Sequence, residues 1–290
     1  MDLLSIAGGL AAALLWGVSD YLVAFPARKI GQYRTVAYAA LFGSLILLPA
    51  AYFAGINTNI SYMVLFLAVL SSVSLFLGFI FADTAFRYGD VAIAAPIVNS
   101  YPAITVIGAV LLLNDSLSVM QFLAIASVIL GIILISMKFS ALKKGKKILA
   151  IGVESAIASM FFLGIVGIFT GAYVGIIGYA LLCLMWRGIS SILGFASVKA
   201  LGQDMRPPSN SKVLMYLIGA GVTDALAVLI VVFAIAVHTA NLPTISTLAG
   251  FAGGVTVLLA FMFLKERPEG NQWLGIVLAI IGIVALSFFS

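Results

Sequence analysis

The chain has 290 residues, of which 63% are hydrophobic and only 9% charged, with a mean hydropathy of +1.24. A soluble domain is typically about 45–50% apolar and about 25% charged, so this composition excludes a water-soluble enzyme or binding module. The net charge of +5 would suit a nucleic-acid partner, but the positions of the basic residues, taken below, argue against one.

Apolar runs of about 17–25 residues, long enough to cross a bilayer as helices, recur along the whole chain. In order they are Leu4–Phe25, Thr35–Ala54, Tyr62–Ala85, Val91–Leu113 and Val119–Met137. After a break come Ile148–Thr170, Gly175–Ala200, Val213–Val237, Asn241–Leu264 and Trp273–Phe289. The predicted fold class is an all-α membrane protein with ten transmembrane helices. Pro26-Ala27-Arg28-Lys29 is expected to end the first span, since proline and charge both resist burial. Asn57-Thr58-Asn59 separates the second and third spans, and Arg206-Pro207-Pro208 the seventh and eighth. The Met1 end lacks the basic region of a signal peptide, so the first run reads as a retained span. Cys183, the only cysteine, lies in an apolar run and has no intrachain disulfide partner.

The longest basic stretch, Lys138–Lys147, divides the spans five and five. It suggests a first five-helix repeat at 1–137, a basic cytoplasmic linker at 138–147 and a second repeat at 148–290. The halves share a weak pattern: Asp115, Gln121 and Gly131 match Glu266, Gln272 and Gly282, each pair 151 positions apart. Five spans per repeat is an odd number, so the two copies are expected to insert in opposite senses. Inverted repeats are a transporter architecture, with substrate held between them near mid-membrane.

Cytoplasmic loops carry the excess of Lys and Arg. In a ten-span arrangement all 15 basic residues except Arg187 fall on one side. This places both termini outside and accounts for the net charge without nucleic acid.

The chain resembles the drug/metabolite transporter superfamily, in particular its EamA-like ten-span transporters. The resemblance rests on Trp16-Gly17, on Arg87-Tyr88-Gly89-Asp90-Val91-Ala92 leading into Pro96, and on Leu264-Lys265-Glu266 followed by Gln272 and Gly275. It is echoed at Asp115 and Gln121, whereas Leu163-Gly164 stands where a second Trp-Gly would fall. The resemblance implies movement of small metabolites or drugs without ATP hydrolysis. It also implies a central cavity lined mainly by spans one, three, four, six, eight and nine.

Charged residues inside spans are functional candidates, because lipid penalises them. Arg187 lies about 12 residues, or roughly 18 Å, into the seventh span, and Asp224 lies at similar depth in the eighth. The two are expected to pair across adjacent helices. Such a pair either fixes packing alone, or sets Arg187 against an anionic substrate group while Asp224 exchanges a proton; both readings stand. Asp20 and Glu154, nearer the basic side, join Asp224 as proton-coupling candidates, with contacts to loop lysines or Arg28 as the alternative. Asp83 and Arg87, four apart, are expected to pair within their helix. His238 reads as a solvated residue at a span end.

Trp16, Tyr21, Tyr101, Phe161, Phe162 and Trp186 are candidates to line an apolar cavity, or simply to pack. Asn99-Ser100-Tyr101-Pro102 suggests locally freed backbone beside a cavity. Asn241-Leu242-Pro243-Thr244 does the same at the start of the ninth span. The candidate substrate-binding residues are therefore Trp16, Asn99, Tyr101, Arg187, Asp224 and Thr244. Neither a nucleotide-binding loop nor catalytic or metal-binding spacing occurs in the sequence, so no cofactor, metal or enzymatic activity is expected.

The favoured function is secondary active transport of a small organic metabolite, amino-acid-like or similar, across the cytoplasmic membrane by alternating access, with proton coupling through the carboxylates named. A lipid-head-group or drug exporter and a non-transporting membrane scaffold are the alternatives. The expected partners are a small-molecule substrate and the lipid bilayer; nothing in the sequence indicates an oligomer. The orientation is testable by cysteine labelling in a Cys183→Ser background. An impermeant reagent applied from outside should modify Asn57→Cys and spare Gly145→Cys, and the reverse pattern would invert the topology.

Overall fold

The computed structural model describes residues 3–55, 59–113, 118–137, 139, 150–237, 245 and 248–289. Its elements are α1 (Leu3–Ile30), α2 (Gln32–Ala54), α3 (Tyr62–Tyr88), α4 (Val91–Val98), α5 (Tyr101–Leu113) and α6 (Val119–Ser136). They continue with α7 (Val153–Ile177), α8 (Tyr179–Ala200), α9 (Ser211–Val237), α10 (Ala252–Leu259), a π-helical turn at Ala260–Leu264 and α11 (Gly270–Phe289). Among the described residues six helices, α1, α2, α3, α7, α8 and α9, are long and apolar enough to cross a membrane. Shorter apolar helices at Val91–Thr105, Val119–Ile135, Leu248–Leu264 and Gly270–Ala285 occupy the places of the fourth, fifth, ninth and tenth predicted spans. Large apolar side chains such as Leu14, Phe66, Phe161, Leu258 and Phe288 are exposed on the outer faces, where a bilayer, unlike water, would favour them.

Several boundaries differ from the sequence reading. Pro26 does not stop the first helix, which runs on to Ile30 and ends at Gly31 with φ 87°. Arg28 and Lys29 fall in its last turn, where positive charge complements the helix dipole. The sixth span does not end at Thr170: α7 continues to Ile177 and hands over to α8 through Gly178 alone, whose φ of 86° is open to glycine. Within the fourth span the helix breaks at Asn99-Ser100. Pro102 has no N–H for the carbonyl four residues back, and the Ser100 hydroxyl donates to Pro96 O at 2.7 Å.

The helices pack chiefly across the two halves of the chain. α1 packs on α9 as α3 packs on α7; α3 packs on α8 as α2 packs on α9; α1 packs on α10 as α5 packs on α7; and α2 pairs with α8, α4 with α10, and α6 with α11. Exchanging the halves, with α1, α2, α3, α4–α5 and α6 corresponding to α7, α8, α9, α10 and α11, leaves this pattern unchanged.

The α6–α11 seam explains the repeated sequence pattern. Ser118 N donates to Gln121 Oε1 at 2.8 Å, and Glu269 N donates to Gln272 Oε1 at 2.8 Å. The repeated glutamine therefore closes the first turn of each helix, satisfying an N–H that the helix itself leaves orphaned. The repeated glycine permits contact of the backbones. A Cβ at Gly275 would lie 2.6 Å from Gly131 O, and one at Gly282 would lie 2.7 Å from Ala124 O. Between them Ser127 donates to Leu278 O at 2.9 Å. Asp115, the acid of the first copy, and the linker residues 138 and 140–147 lie outside the described residues.

Because the obstacle at Gly275 is backbone rather than a flexible side chain, Gly275→Val must part the seam. A loss of about 1–3 kcal/mol or more is expected, read as a lower apparent melting temperature in detergent. Gly188→Ala, where the added carbon meets nothing within 4 Å, is the control expected to leave the melting temperature unchanged or raised. Equal shifts in the two variants would refute the role given to the seam.

Candidate functional site

A cavity of about 1150 Å³, its mouth included, lies between the halves and is lined from α1, α2, α3, α4, α5, α7, α8 and α9. Its walls are mostly apolar, with Leu75, Phe79, Phe86, Leu163, Val228 and Val232 among them. Set into these walls are Trp16, Ser19, Asp20, Asp83, Asn99, Tyr101, Thr170, Trp186, Arg187 and Asp224.

Arg187 and Asp224 form an ion pair between α8 and α9, with Arg187 only 4% and Asp224 8% exposed. Trp16 Nε1 donates to the other carboxylate oxygen of Asp224 at 3.0 Å, so α1 joins the pair. The guanidinium lies 4.4 Å from the centroid of the Phe79 ring, while its Nε has no hydrogen-bond partner among the described residues. Opposite charge and an aromatic face together offset part of the cost of removing the ions from water. Close approach of α2 leaves room for the arginine stem: a Cβ at Gly43 would lie 3.1 Å from Gly221 O and 3.6 Å from Arg187 Cδ.

Asp20 is held differently. Asn99 Nδ2 donates to its Oδ2 at 2.8 Å, and Thr256 Oγ1 of α10 lies 3.4 Å from the same oxygen. The break at Asn99-Ser100 turns the asparagine toward α1, and Asn99 Nδ2 also donates to Ala95 O at 3.0 Å. The carboxylate of Asp20 thus rests on neutral donors from the fourth and ninth predicted spans.

Of the residues singled out from the sequence, Trp16, Asn99, Tyr101, Arg187, Asp224 and Asp20 all line this cavity. Glu154 does not: it is exposed in the first turn of α7. Thr244 and His238 lie outside the described residues. Among the proposed aromatics, Trp186 lines the cavity and donates to Ser71 Oγ at 2.9 Å. Tyr21 packs on Phe263, Phe162 stacks on Phe81, and Phe161 is 56% exposed, so none of these three lines the cavity. The expected Asp83–Arg87 pair is replaced. Arg87 donates to Gln32 Oε1 at 2.6 Å and covers the Tyr88 ring, while Asp83 is buried and faces the cavity. The i, i+4 spacing concealed Asp83, because spacing gives two residues a common face but not a common environment. The cavity also differs from the family expectation in recruiting α2 and α8, the latter through Arg187 itself.

On the basic side a second polar tie joins the helix ends. Arg28 Nε donates to Phe86 O at 3.0 Å, and its Nη2 meets Glu266 at 2.9 Å and Gly89 O at 3.1 Å. The other Glu266 oxygen accepts the Ala92 N–H at 2.8 Å, at the positive end of α4. Lys265, with φ 58°, turns the chain after the π-helical turn and brings Glu266 to this position.

Apolar helices surrounding an internal cavity set with a few charged side chains define a multi-pass α-helical membrane protein. The EamA-like transporter family model matches the chain twice, at residues 3–137 and 150–288. The chain belongs to this family. It is similar in fold to a solved structure described as "Crystal structure of protein", at 15% identity and a TM-score of 0.71, over 98% of this chain and 96% of that one. No match was found among curated proteins.

The ion pair yields a prediction. Breaking one side of a buried pair costs about 3–5 kcal/mol when the remaining charge is stranded. Arg187→Ala and Asp224→Ala are each expected to destabilise the detergent-solubilised protein to that degree in denaturant titrations, and the double variant to lose less than the sum. Strictly additive losses would show that the two side chains are not energetically coupled.

Proposed function

We propose that the protein is a secondary transporter of a small organic metabolite, with ten spans arranged as two inverted five-helix halves, 1–137 and 148–290, joined by a cytoplasmic linker at 138–147. Membership of a transporter family supports the transport reading. The single observation that carries the site is the ion pair of Arg187 and Asp224 in a cavity walled by both halves. In lipid such charges are costly, and where they face an internal cavity they are candidates for a substrate or ion pathway. The one-sided distribution of Lys and Arg supports a cytoplasmic-membrane orientation with both termini outside.

In this reading Trp16, Asn99, Tyr101, Arg187 and Asp224 contact the substrate, and Thr244 joins them from the ninth span. Asp224 and Asp20 exchange protons. A proton arriving at Asp224 removes its charge, which loosens Arg187 and frees it for an anionic group on the cargo. Glu154, exposed and away from the cavity, has no part in this scheme. Alternating access requires the Arg28–Glu266 tie to open when the cavity faces the basic side.

The test is solute accumulation in liposomes bearing the purified protein, over a panel of amino acids and related small metabolites, with and without an imposed pH gradient. Gradient-driven accumulation of at least one solute is expected. Asp224→Asn preserves shape but carries no titratable proton, so it is expected to bind that solute in detergent yet lose gradient-driven accumulation. Normal accumulation by Asp224→Asn would remove Asp224 as the proton carrier and leave Asp20.

A further inference from the structure

The cavity's charges do not balance. Among its described lining residues stand three carboxylates, Asp20, Asp83 and Asp224, and a single guanidinium, Arg187. The positive charge of Arg187 is committed to Asp224, and Asp20 rests on neutral donors. Asp83 is 4% exposed and, among the described residues, makes no hydrogen bond or ion pair; the ionisable groups that act on it, Asp20 and Asp224, are themselves acidic. A carboxylate this deeply buried carries its charge at little cost only beside a positive partner, and none of the charged side chains that α1, α3, α8 or α9 turn into the cavity is free to be that partner.

The walls around it fit the same ligand. Phe79 and Phe86, four residues before and three after Asp83, share its helix face and line the cavity with it. Aromatic faces attract cations, and Phe79 already does so in this cavity, under Arg187. Trp16 and Tyr101 add ring surface from the opposite helices.

We propose that Asp83 holds the positively charged nitrogen of the cargo, so that the cavity, while Arg187 stays paired with Asp224, takes an organic cation: an ammonium carried on an apolar, ring-sized body. This builds on the transport reading and names its substrate class. Benzyltrimethylammonium, which is charged at every pH, is the probe, and phenylacetate is its anionic counterpart of similar size. Binding to the full-length protein in detergent is read from the fluorescence of Trp16 and Trp186 on the cavity wall. Saturable binding of the ammonium and weaker binding of phenylacetate are expected, with Asp83→Asn weakening the ammonium by about tenfold or more and Asp83→Glu retaining it. Unchanged ammonium binding in Asp83→Asn, or an unmodified protein that prefers phenylacetate, overturns the proposal. The second comparison decides the matter even if Asp83→Asn fails to fold. Movement of phenylacetate but not of the ammonium into liposomes overturns the charge preference and supports transport. Binding of the ammonium with no movement of any solute supports the charge preference and overturns the transport reading.

Discussion

Lipid offers no hydrogen bonds, so a polar group that the fold carries into the membrane is met from within the protein or turned into an internal cavity. The arrangement of helices follows from that requirement. Arg187 of α8 can be accommodated only where Asp224 of α9 reaches it and Trp16 of α1 completes the carboxylate. Asp20 of α1 similarly needs Asn99 and Thr256. Hydroxyls perform the same task at helix crossings: Ser74 donates to Phe162 O, Ser159 to Gly78 O and Ser191 to Ala37 O, at 2.9, 2.8 and 3.1 Å. These bonds join elements distant in sequence, and they hold together helices that the surrounding lipid gives little hydrophobic reason to associate.

The same economy accounts for the two-fold pattern of contacts. A single glutamine closes the first turn of α6 and, in the second half, of α11. Small residues then let these helices touch through their backbones, with Gly131 against Gly275 and Ala124 against Gly282. The repeated glutamine and glycine are thus structural, and they lie on the two seam helices rather than at the cavity. The polar residues of the cavity have no such repetition, which is consistent with a shared scaffold holding an asymmetric site.

That asymmetry gives the cavity its chemical character. One carboxylate is neutralised by an arginine, a second rests on neutral donors, and a third faces the cavity beside aromatic rings. The tie from Arg28 to Glu266 and Ala92 lies at the helix ends on the basic side. It links α1 and α4 of the first half to the segment after the π-helical turn in the second. Polar ties across the halves thus occur both within the cavity and at one set of helix ends.

The sequence by itself determined that this chain lives in a membrane, because 63% hydrophobic and 9% charged residues leave no soluble surface to build. It also marked most of the helices, the internal repeat and the rare charges, since in lipid any buried charge stands out against an apolar background. Asp224 and Arg187 were legible for that reason, and so was Asn99 beside its proline. Helix ends were less legible: Pro26 and Thr170 read as stops, but a helix interior tolerates proline where its lost bond can be spared, and Gly178 did the turning instead. Only the tertiary structure decided that Asp83 faces the cavity while Arg87 turns to Gln32, that Glu154 stays outside, and that Asp20 meets Asn99 rather than Arg28. Each of these depends on which helices from the opposite half come alongside, and one-dimensional spacing records the face a residue occupies but not the neighbour that face will meet.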